Sequence, residues 1–463
     1  MLTPGWPWVR NDACVTSAAT DRFVADQRAA RREQRGWYFY DWASSAFSTT
    51  VITVFLGPYL TSVAQAAADA GEQVTLLGVI PVAPESYFPF MVSISVALQV
   101  ILLPLVGGLA DVSARKKVVM AACAYVGAVA VMGMFFLDGT RYQFGGVLFL
   151  IANVAFGASL VVYNSFLPDI ATPDERDGVS SRAWAMGYVG GIILLVANLV
   201  LFLGHDAFGV TESAAVRISL FSAGAWWAIF TLIPLARLVN RPAKHVRTGS
   251  ALTGGFRQLG ATLRELPRYP QALLFLAAFF FFNDGIMTVI GLSATYADIE
   301  LGLSTTLVIA AVIIVQIVGI AGALILGRLA RTFGAKRVVL GSLVMWSVTL
   351  VFAFLIPAGA GTLFLVLAAL IGFVLGGSQA LARSLFAQLV PRDREAEYFS
   401  LYEVSNGASS ILGPLVFGLS LQMLGSYRIA ILALVVFFII GGILLARVNV
   451  RAGVEQANRV VAA

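Results

Sequence analysis

The chain has 463 residues, of which 59% are hydrophobic and only 12% are charged. Its mean hydropathy of +0.85 excludes an ordinary soluble domain, because too few polar side chains remain to cover a surface in water. A formal net charge of +6 would suggest nucleic-acid binding in a soluble protein, but here the basic residues flank apolar segments, so the lipid bilayer and not nucleic acid is the expected partner.

The first 36 residues are predicted to form a cytoplasmic tail. They carry six arginines and no apolar run long enough for the core of a signal peptide. From Trp37 onward, apolar stretches of about 20 residues recur, which is the length of a membrane-spanning helix. The region 37–238 is therefore predicted to hold six spans, at about 37–62, 88–110, 117–137, 144–166, 183–204 and 216–238.

A basic segment at 239–270 is predicted to be a cytoplasmic linker between two halves. Within it, residues 251–266 are expected to form a short amphipathic helix at the membrane surface. The region 271–446 is predicted to hold six more spans, and 447–463 is predicted to be a second cytoplasmic tail. The spans of this second half are expected at about 271–296, 305–327, 337–356, 362–382, 398–424 and 428–446.

The basic residues also predict the orientation of the chain. Three of the 31 Lys and Arg residues, Arg141, Arg217 and Arg428, fall on one set of alternate connections, and the others fall on the tails, the linker and the remaining connections. Because positively charged connections are retained in the cytoplasm, both termini are expected to lie there. The predicted fold class is an all-α, multi-pass membrane protein with twelve transmembrane helices.

The two halves echo each other in sequence. Residues 109–111 correspond to residues 329–331, and the PDERD segment at 173–177 corresponds to the PRDRE segment at 391–395, at nearly the same offset. Each pair lies at the same place in its half. Two pseudo-symmetric six-helix bundles around a central cavity are the usual construction of alternating-access transporters.

The loop after the second predicted span resembles the signature loop of the major facilitator superfamily, which has Gly, three residues, Asp, a basic residue, any residue, Gly and two basic residues. Here residues 107–117 read GGLADVSARKK, with departures at Val112 and Ala114. A glycine lets helix backbones approach, an aspartate can face a helix N-terminus, and basic residues contact lipid phosphates. The resemblance implies the major facilitator fold and a cytoplasmic gate, whose predicted residues are Gly107, Gly108, Asp111, Arg115, Lys116, Gly327 and Arg331.

Longer motifs resemble a narrower family. Four segments are similar to the bacterial branch of the vacuole-effluxer-like family: RGWYFYDWASSAFSTTVITVF at 35–55, LPDIATPDERDGVSSRAWAMGYVGG at 167–191, FFFFNDG at 279–285 and GGSQALARSLFAQLVPRDREAEYFSLYEVSNGASSILGPLVFG at 376–418. Fungal members are associated with amino-acid export from the vacuole. The resemblance implies a secondary transporter that exports a small polar solute, located in the inner membrane of a bacterial-type cell and, as is typical of major facilitators, monomeric.

Two aspartates within spans are the main functional candidates, because a charge at the bilayer centre costs roughly 3 kcal/mol. The repeat predicts that Asp41 and Asp284 lie beside the central cavity from opposite halves, where each could bind a proton or the amine of a substrate. The alternative for Asp41 is a charge favoured by a helix N-terminus, and for Asp284 a buried carboxylate bonded to Asn283. Gly285 is expected to let its helix bend.

Other polar residues within the spans are candidates for hydrogen bonds to a polar solute, or alternatively for helix packing. This set is Tyr40, Asn153, Tyr163, Asn164, Asn283 and Gln379. Charged residues near the predicted cytoplasmic ends of the spans are expected to form gate contacts or structural ion pairs. These are Arg182, Arg383 and Glu403.

No phosphate-binding loop, zinc-protease motif or serine-hydrolase motif occurs in the sequence, and Cys14 and Cys123 lack metal-ligand spacing. The chain is therefore predicted not to be an enzyme, to use no cofactor or metal, and to be driven by a gradient. The favoured hypothesis is proton-coupled export. Two alternatives remain open: a facilitator of amphipathic compounds, suggested by the phenylalanine run at 279–282, and a transporter-like sensor that signals through its linker and tail.

Overall fold

A computed structural model describes residues 12–68, 73–76, 78–113, 115–241, 264, 266–391, 394–409, 412–424 and 426–459. In this described part, eleven helices are long and apolar enough to cross a membrane. The eleventh predicted span is divided into the helices Glu395–Ala408 and Leu412–Leu424, so neither piece reaches that length. The amphipathic helix predicted at 251–266 falls almost entirely outside the described residues.

We number the membrane segments spans 1 to 12. Span 1 is the longest: the helix Asp12–Ala46 continues through a π-helical segment, Phe47–Phe55, into the helix Leu56–Ala67. The remaining spans of the first half are Pro84–Val112, Lys116–Gly133 with a 3₁₀ turn at Met134–Phe136, Tyr142–Ser165, Arg176–Leu203 and Glu212–Arg237. A short helix, Leu167–Ile170, lies between spans 4 and 5.

The second half begins with a 3₁₀ turn at Leu266–Arg268. Its spans 7 to 10 are Pro270–Thr295, Thr305–Phe333, Ala335–Leu355 and Gly361–Leu389, with a π-helical segment, Tyr296–Glu300, after span 7. Span 11 is the divided segment 395–424. Span 12 consists of Tyr427–Ala433 and Val435–Arg447, and the C-terminal helix Val450–Arg459 follows it.

Local sequence explains several of these boundaries. Thr211 caps span 6 by accepting a hydrogen bond from the backbone N–H of Ala214 (3.2 Å). Pro84 and Pro270 lie in the first turn of their helices. Proline is tolerated there because a backbone N–H in the first turn makes no hydrogen bond within the helix. Spans 8 and 9 are joined by Gly334 alone, whose φ of +83° favours glycine.

Four features differ from the sequence-based expectations. The helix of span 1 starts at Asp12, so residues 12–36 are helical and continuous with the span. Span 5 begins seven residues early, at Arg176. A two-stranded antiparallel hairpin, β1 (Val74–Leu76) and β2 (Ile80–Val82), occupies the connection after span 1. Span 7 is not unwound at Gly285: it is a continuous α-helix there, and Phe437 and Phe438 of span 12 pack against the glycine.

Each half is a bundle with its own packing, and the two halves meet along two related seams. Span 5 packs against spans 8 and 10, and span 11 packs against spans 2 and 4. Spans 2 and 8, like spans 5 and 11, occupy equivalent places in their halves. The seams are therefore related by the same pseudo-symmetry that the sequence echoes predicted.

One end of the bundle carries both described termini and the two chain segments that flank the linker. We call this end the basic face. There, Lys336 at the start of span 9 donates to the carbonyl of Ala446 at the end of span 12 (2.7 Å). The other end, which we call the opposite face, carries the β-hairpin and the pair Arg428–Glu300 (2.7 Å). The sequence predicts that the basic face is cytoplasmic.

Candidate functional site

The hydrogen bonds between the two halves cluster on the basic side of the bundle, around Arg383 of span 10. Its guanidinium lies 3.1 Å from the carboxylate of Asp41 in span 1. It also donates to the hydroxyl (2.9 Å) and the backbone carbonyl (3.0 Å) of Ser180 in span 5. The side chains of Arg383 and Asp41 are only 5% and 13% exposed, so this ion pair is shielded from solvent.

Aromatic rings surround the guanidinium. Its central carbon lies 4.7 Å from the ring centre of Trp37 and 5.7 Å from those of Tyr163 and Trp184. Trp37 stacks on Tyr163 (4.5 Å between ring centres) and donates its indole N–H to the backbone carbonyl of the same residue (2.9 Å). The rings provide cation–π contacts and exclude water, which strengthens the electrostatic interactions of Arg383.

A second carboxylate lies close by. Glu403 of span 11 accepts a hydrogen bond from the amide of Asn164 in span 4 (2.9 Å), and Arg383 donates to the other end of the same amide (3.5 Å). Glu403 is buried and interacts electrostatically with both Arg383 and Asp41. The guanidinium therefore contacts the Asp41 carboxylate of the first half directly and is linked through the Asn164 amide to the Glu403 carboxylate of the second half.

The polar contacts continue from Glu403 into span 7. Asn406 donates to Glu403 (3.4 Å) and accepts a hydrogen bond from Asn283 (2.9 Å), whose carbonyl oxygen accepts one from Gln379 (2.6 Å). We call this chain of hydrogen-bonded side chains the interface network. Its members are Asp41, Asn164, Asn283, Gln379, Arg383, Glu403 and Asn406.

The interface network brings together residues that the sequence assigned to two sites. Asp41, Asn164, Asn283 and Gln379 were solute or proton candidates, whereas Arg383 and Glu403 were gate candidates. Asn406 was not singled out, although it follows Glu403 by three residues on the same helix, a spacing that brings side chains together. The structure therefore joins the solute and gate candidates in one place.

The other solute candidates lie around or apart from this network. Tyr40 is fully buried and packs on Tyr163 (4.8 Å between ring centres), which forms part of the aromatic lining of Arg383. Asn153 donates to Ser95 (2.7 Å) and its backbone accepts from Gln99 (3.2 Å), so it joins spans 2 and 4 within the first half. For Asn153, the structure supports the packing alternative.

Asp284 has a different environment from Asp41. It is fully buried on span 7, where Gly413 of span 11 packs against its backbone carbonyl and against Thr288. Asp41, by contrast, lies far from the helix N-terminus at Asp12, so a helix dipole does not explain its position. The two aspartates are therefore not equivalent, although the repeat predicted a matched pair.

The predicted gate residues lie at the basic face. A Cβ atom on Gly107 would come within 3.0 Å of the backbone of Ala396 in span 11, so this glycine allows close approach of the halves. Gly327 packs in the same way against Ser181 of span 5, and the guanidinium of Arg331 lies against Gly178. Equivalent glycines thus lie at both seams.

The remaining gate candidates make contacts within the first half. Lys116 lies 3.8 Å from Asp169, and Arg182 donates to the hydroxyl of Tyr38 (3.4 Å). Gly108 is buried beside Gly107, and Arg115 immediately precedes span 3. The side chain of Asp111 lies outside the described part of the structure.

Several gate contacts come from residues that the sequence analysis did not select. Arg176 donates to the carbonyl of Ala387 (2.8 Å), Ser180 donates to the carbonyl of Ala380 (2.8 Å), and Ser384 hydrogen-bonds to Asp177. Arg176 and Asp177 are the last two residues of the repeated PDERD segment at 173–177. That repeat was the available signal, because equivalent segments in both halves lie at the same interface.

The phenylalanine run at 279–282 has a packing role. Phe279 and Phe282 are fully buried, and Phe279 stacks on Tyr402 of span 11 (4.3 Å between ring centres). This packing lies within the second half and accounts for two of the four rings.

Among the described residues, no group of three or more His, Cys, Asp or Glu side chains is arranged to hold a metal ion.

Comparison with known proteins assigns the chain to a family. The profile of the family described as "Vacuole effluxer Atg22 like" matches residues 29–458. The chain belongs to this family. It is 30% identical over 420 residues to the uncharacterized MFS-type transporter YxiO of Bacillus subtilis, with 90% of this chain and 94% of that protein covered. It is 24% identical to autophagy-related protein 22-1 of Penicillium rubens, with 92% and 91% covered.

Solved structures of major facilitators share the fold. The chain aligns with FucP in its outward conformation at a TM-score of 0.66 and 14% identity, with 90% of this chain and 98% of that chain covered. A bacterial homologue of ferroportin in an outward-facing state aligns at a TM-score of 0.63 and 15% identity, with 90% and 98% covered. The predicted all-α major facilitator fold is thereby confirmed. This member of the Atg22-like family is a secondary transporter and not an enzyme.

Proposed function

We propose that this transporter moves a small zwitterionic solute, such as an amino acid, out of the cytoplasm in exchange for protons. The observation that carries the proposal is the guanidinium of Arg383 at the junction of the halves, paired with Asp41 and linked through the Asn164 amide to Glu403. A zwitterion carries one negative and one positive group. Arg383 can bind the first in a bidentate manner, and a carboxylate released from Arg383 can bind the second.

The same arrangement supports proton coupling. Arg383 can neutralise one carboxylate fully, and the hydrogen bonds to Glu403 come from the neutral amides of Asn164 and Asn406. A proton on Glu403 would remove the excess negative charge while the site is closed to solvent. Because Glu403 and Asp41 belong to different halves, a change in protonation would alter the attraction between the halves.

Alternating access follows from where the halves are joined. The contacts made by Asp41, Arg176, Ser180 and Arg383 close the basic side, and we propose that this face is cytoplasmic. Under this proposal the structure represents a state in which the basic side is closed, and access to the site would come from the opposite face. Rocking one half against the other would break these contacts and expose the site to the cytoplasm.

The test is flux of a pool of labelled amino acids in proteoliposomes, with and without an imposed pH gradient. The variants Glu403→Gln and Asp284→Asn are compared with Glu212→Gln, an exposed carboxylate at the opposite face. We expect gradient-driven accumulation in the wild type and in Glu212→Gln. In Glu403→Gln, we expect exchange of labelled for unlabelled solute to persist without response to the gradient.

The outcomes separate the parts of the proposal. Loss of the pH response in Asp284→Asn alone would move the coupling site into span 7. An unchanged pH response in both variants would contradict coupling through either residue. No flux of any amino acid would contradict the proposed solute class and leave the fold unaffected. The facilitator of amphipathic compounds would then be tested by a screen of such compounds.

A further inference from the structure

The basic face contains a large cavity between the two halves that the transport site does not use. Its volume is about 1640 Å³. The first half contributes the start of span 1, the connection before span 5 and Arg182. The second half contributes the turn between spans 8 and 9 and the end of span 12. The cavity therefore straddles the seam that the gate contacts close.

The lining of this cavity is strongly positive. Eight basic and three acidic side chains line it, which gives a formal net charge of +5. The basic residues come from both halves, for example Arg31 and Arg35 from span 1, and Arg331 and Arg451 from the second half. These four side chains are exposed, and none of them forms a salt bridge within the described part of the chain.

The acidic residues in the lining do not balance this charge. Asp177 is buried, hydrogen-bonded to Ser384 and interacts electrostatically with Arg331, so it offsets part of the charge of one arginine. With Asp174 and Glu175 it makes three acidic residues against eight basic ones. The linker 239–270 contains one acidic residue, Glu265, against six basic ones, so it adds positive rather than negative charge to this face. Retention of positive charge in the cytoplasm explains basic loops, but it does not explain their convergence on one cavity from both halves.

We propose that this cavity binds a phosphate-bearing polyanion, either free in solution or as the headgroup of an anionic lipid. Arginine guanidinium groups match the geometry of phosphate oxygens, and several exposed guanidiniums around one cavity favour a ligand with more than one negative charge. Because the ligand would contact both halves across the closed seam, it would bind the closed basic face more tightly than an open one. It would therefore act as a clamp that holds the transporter open toward the opposite face.

The binding test uses the purified full-length protein in nanodiscs of neutral phosphatidylcholine, titrated with inorganic tripolyphosphate by calorimetry at low and high salt. We expect saturable binding whose affinity falls as the salt concentration rises. In the double variant Arg35→Gln/Arg331→Gln, we expect the affinity to fall about tenfold for each guanidinium removed. The variant Arg31→Gln/Arg451→Gln serves if the first fails to fold. Arg268→Gln, which removes an exposed charge at the same face outside the cavity, should bind as the wild type does.

A second arm replaces part of the phosphatidylcholine by cardiolipin. Thermal stabilisation by cardiolipin that is lost in the double variants, without tripolyphosphate binding, would identify a lipid headgroup as the ligand. The absence of binding in both arms would overturn the proposal. Equal weakening by Arg268→Gln would also overturn it, because the attraction would then come from the face as a whole.

The clamp is tested without any knowledge of the transported solute, although it rests on the proposed alternating access. Ser384 lies at the closed seam and is buried, so Ser384→Cys in a background without the native cysteines reports opening of the basic face by its rate of reaction with a soluble maleimide. Tripolyphosphate should slow this reaction when the cavity lining is otherwise unchanged, and should not slow it when Arg35→Gln/Arg331→Gln is also present. If the rate of maleimide labelling stays the same when tripolyphosphate is bound, the ligand does not act as a clamp and this part of the proposal is overturned.

Discussion

The guanidinium of Arg383 contacts the carboxylate of Asp41 at 3.1 Å, although 342 positions separate the two residues in the chain. One belongs to span 10 of the second half and the other to span 1 of the first. Their ion pair is buried and enclosed by aromatic rings. It joins the halves at the place where, under the proposed mechanism, solute and protons would bind.

Removal of one partner of this pair should be strongly destabilising. Arg383→Gln leaves the Asp41 carboxylate without its ion-pair partner in a buried site, so we expect a loss of about 3–5 kcal/mol in the free energy of unfolding. Arg217→Gln breaks the exposed pair with Asp138 (3.3 Å) at the opposite face and should cost less than about 1 kcal/mol. Denaturation of both variants in detergent measures the difference, and equal costs would contradict it. The double variant Asp41→Asn/Arg383→Gln should recover part of the loss.

Trp37→Phe should affect solute binding as well as stability. The change removes the indole N–H that donates to the carbonyl of Tyr163 and reduces the aromatic surface over Arg383. We expect about 1–3 kcal/mol of destabilisation and a weaker apparent affinity for the solute. Trp226→Phe removes a comparable bond, to the carbonyl of Trp42 (3.2 Å), away from Arg383. It should lower stability and leave the affinity unchanged, so a matching loss of affinity would count against a role for the aromatic lining.

Gly107→Ala should disturb the closure of the basic face. The added methyl group would meet the backbone of Ala396, which cannot move aside as a flexible side chain can. We expect a cost of about 1–3 kcal/mol to the closed state and faster maleimide labelling of a cysteine at position 384. Gly291→Ala is the matched control, because no atom lies within 4 Å of its added Cβ. Helix propensity predicts a slight stabilisation there, and unchanged labelling in Gly107→Ala would refute the prediction.

Asp41→Asn should alter the pH dependence of transport in a different way from Glu403→Gln. The amide keeps the size of the side chain but leaves Arg383 facing Glu403 as its only nearby carboxylate in the described network. We expect solute to bind, but Glu403 to remain ionised beside the guanidinium and the pH response to shift toward lower pH. Flux at a series of pH values, with Asp206→Asn as an exposed control, measures the shift. An identical pH profile in wild type and Asp41→Asn would contradict the shared charge balance.

The spans and their grouping into two halves could be predicted from sequence because hydropathy and basic residues act locally. A run of about 20 apolar residues must be buried in lipid wherever the rest of the chain lies. The same reasoning could not give the start of span 1 at Asp12, since hydropathy reports the membrane and not how far a helix continues into water. The division of span 11 into Glu395–Ala408 and Leu412–Leu424 was not predicted either, because hydropathy averaged over the segment does not show where a helix is interrupted.

The site was predictable as a set of residues but not as an arrangement. Asp41 and Arg383 were selected separately, because a charge near a span is costly on its own. Their pairing depends on how span 10 packs against spans 1 and 5, which no local pattern encodes. The role of Gly285 depends on its neighbours in the same way: glycine permits a helix to bend or unwind, but span 7 remains α-helical there, with Phe437 and Phe438 packed against it.

The concentration of inter-half bonds at one end has a mechanical consequence. A helix of 26 residues, such as Glu212–Arg237, is about 40 Å long. If the closed end acts as a fulcrum, a tilt of about 10° displaces the far end of such a helix by about 7 Å, whereas residues beside the fulcrum move by about 1 Å. Changes of about 1 Å in the distances around Arg383, too small to break its contacts, would thus be amplified by leverage into the widening or narrowing of a passage at the opposite face.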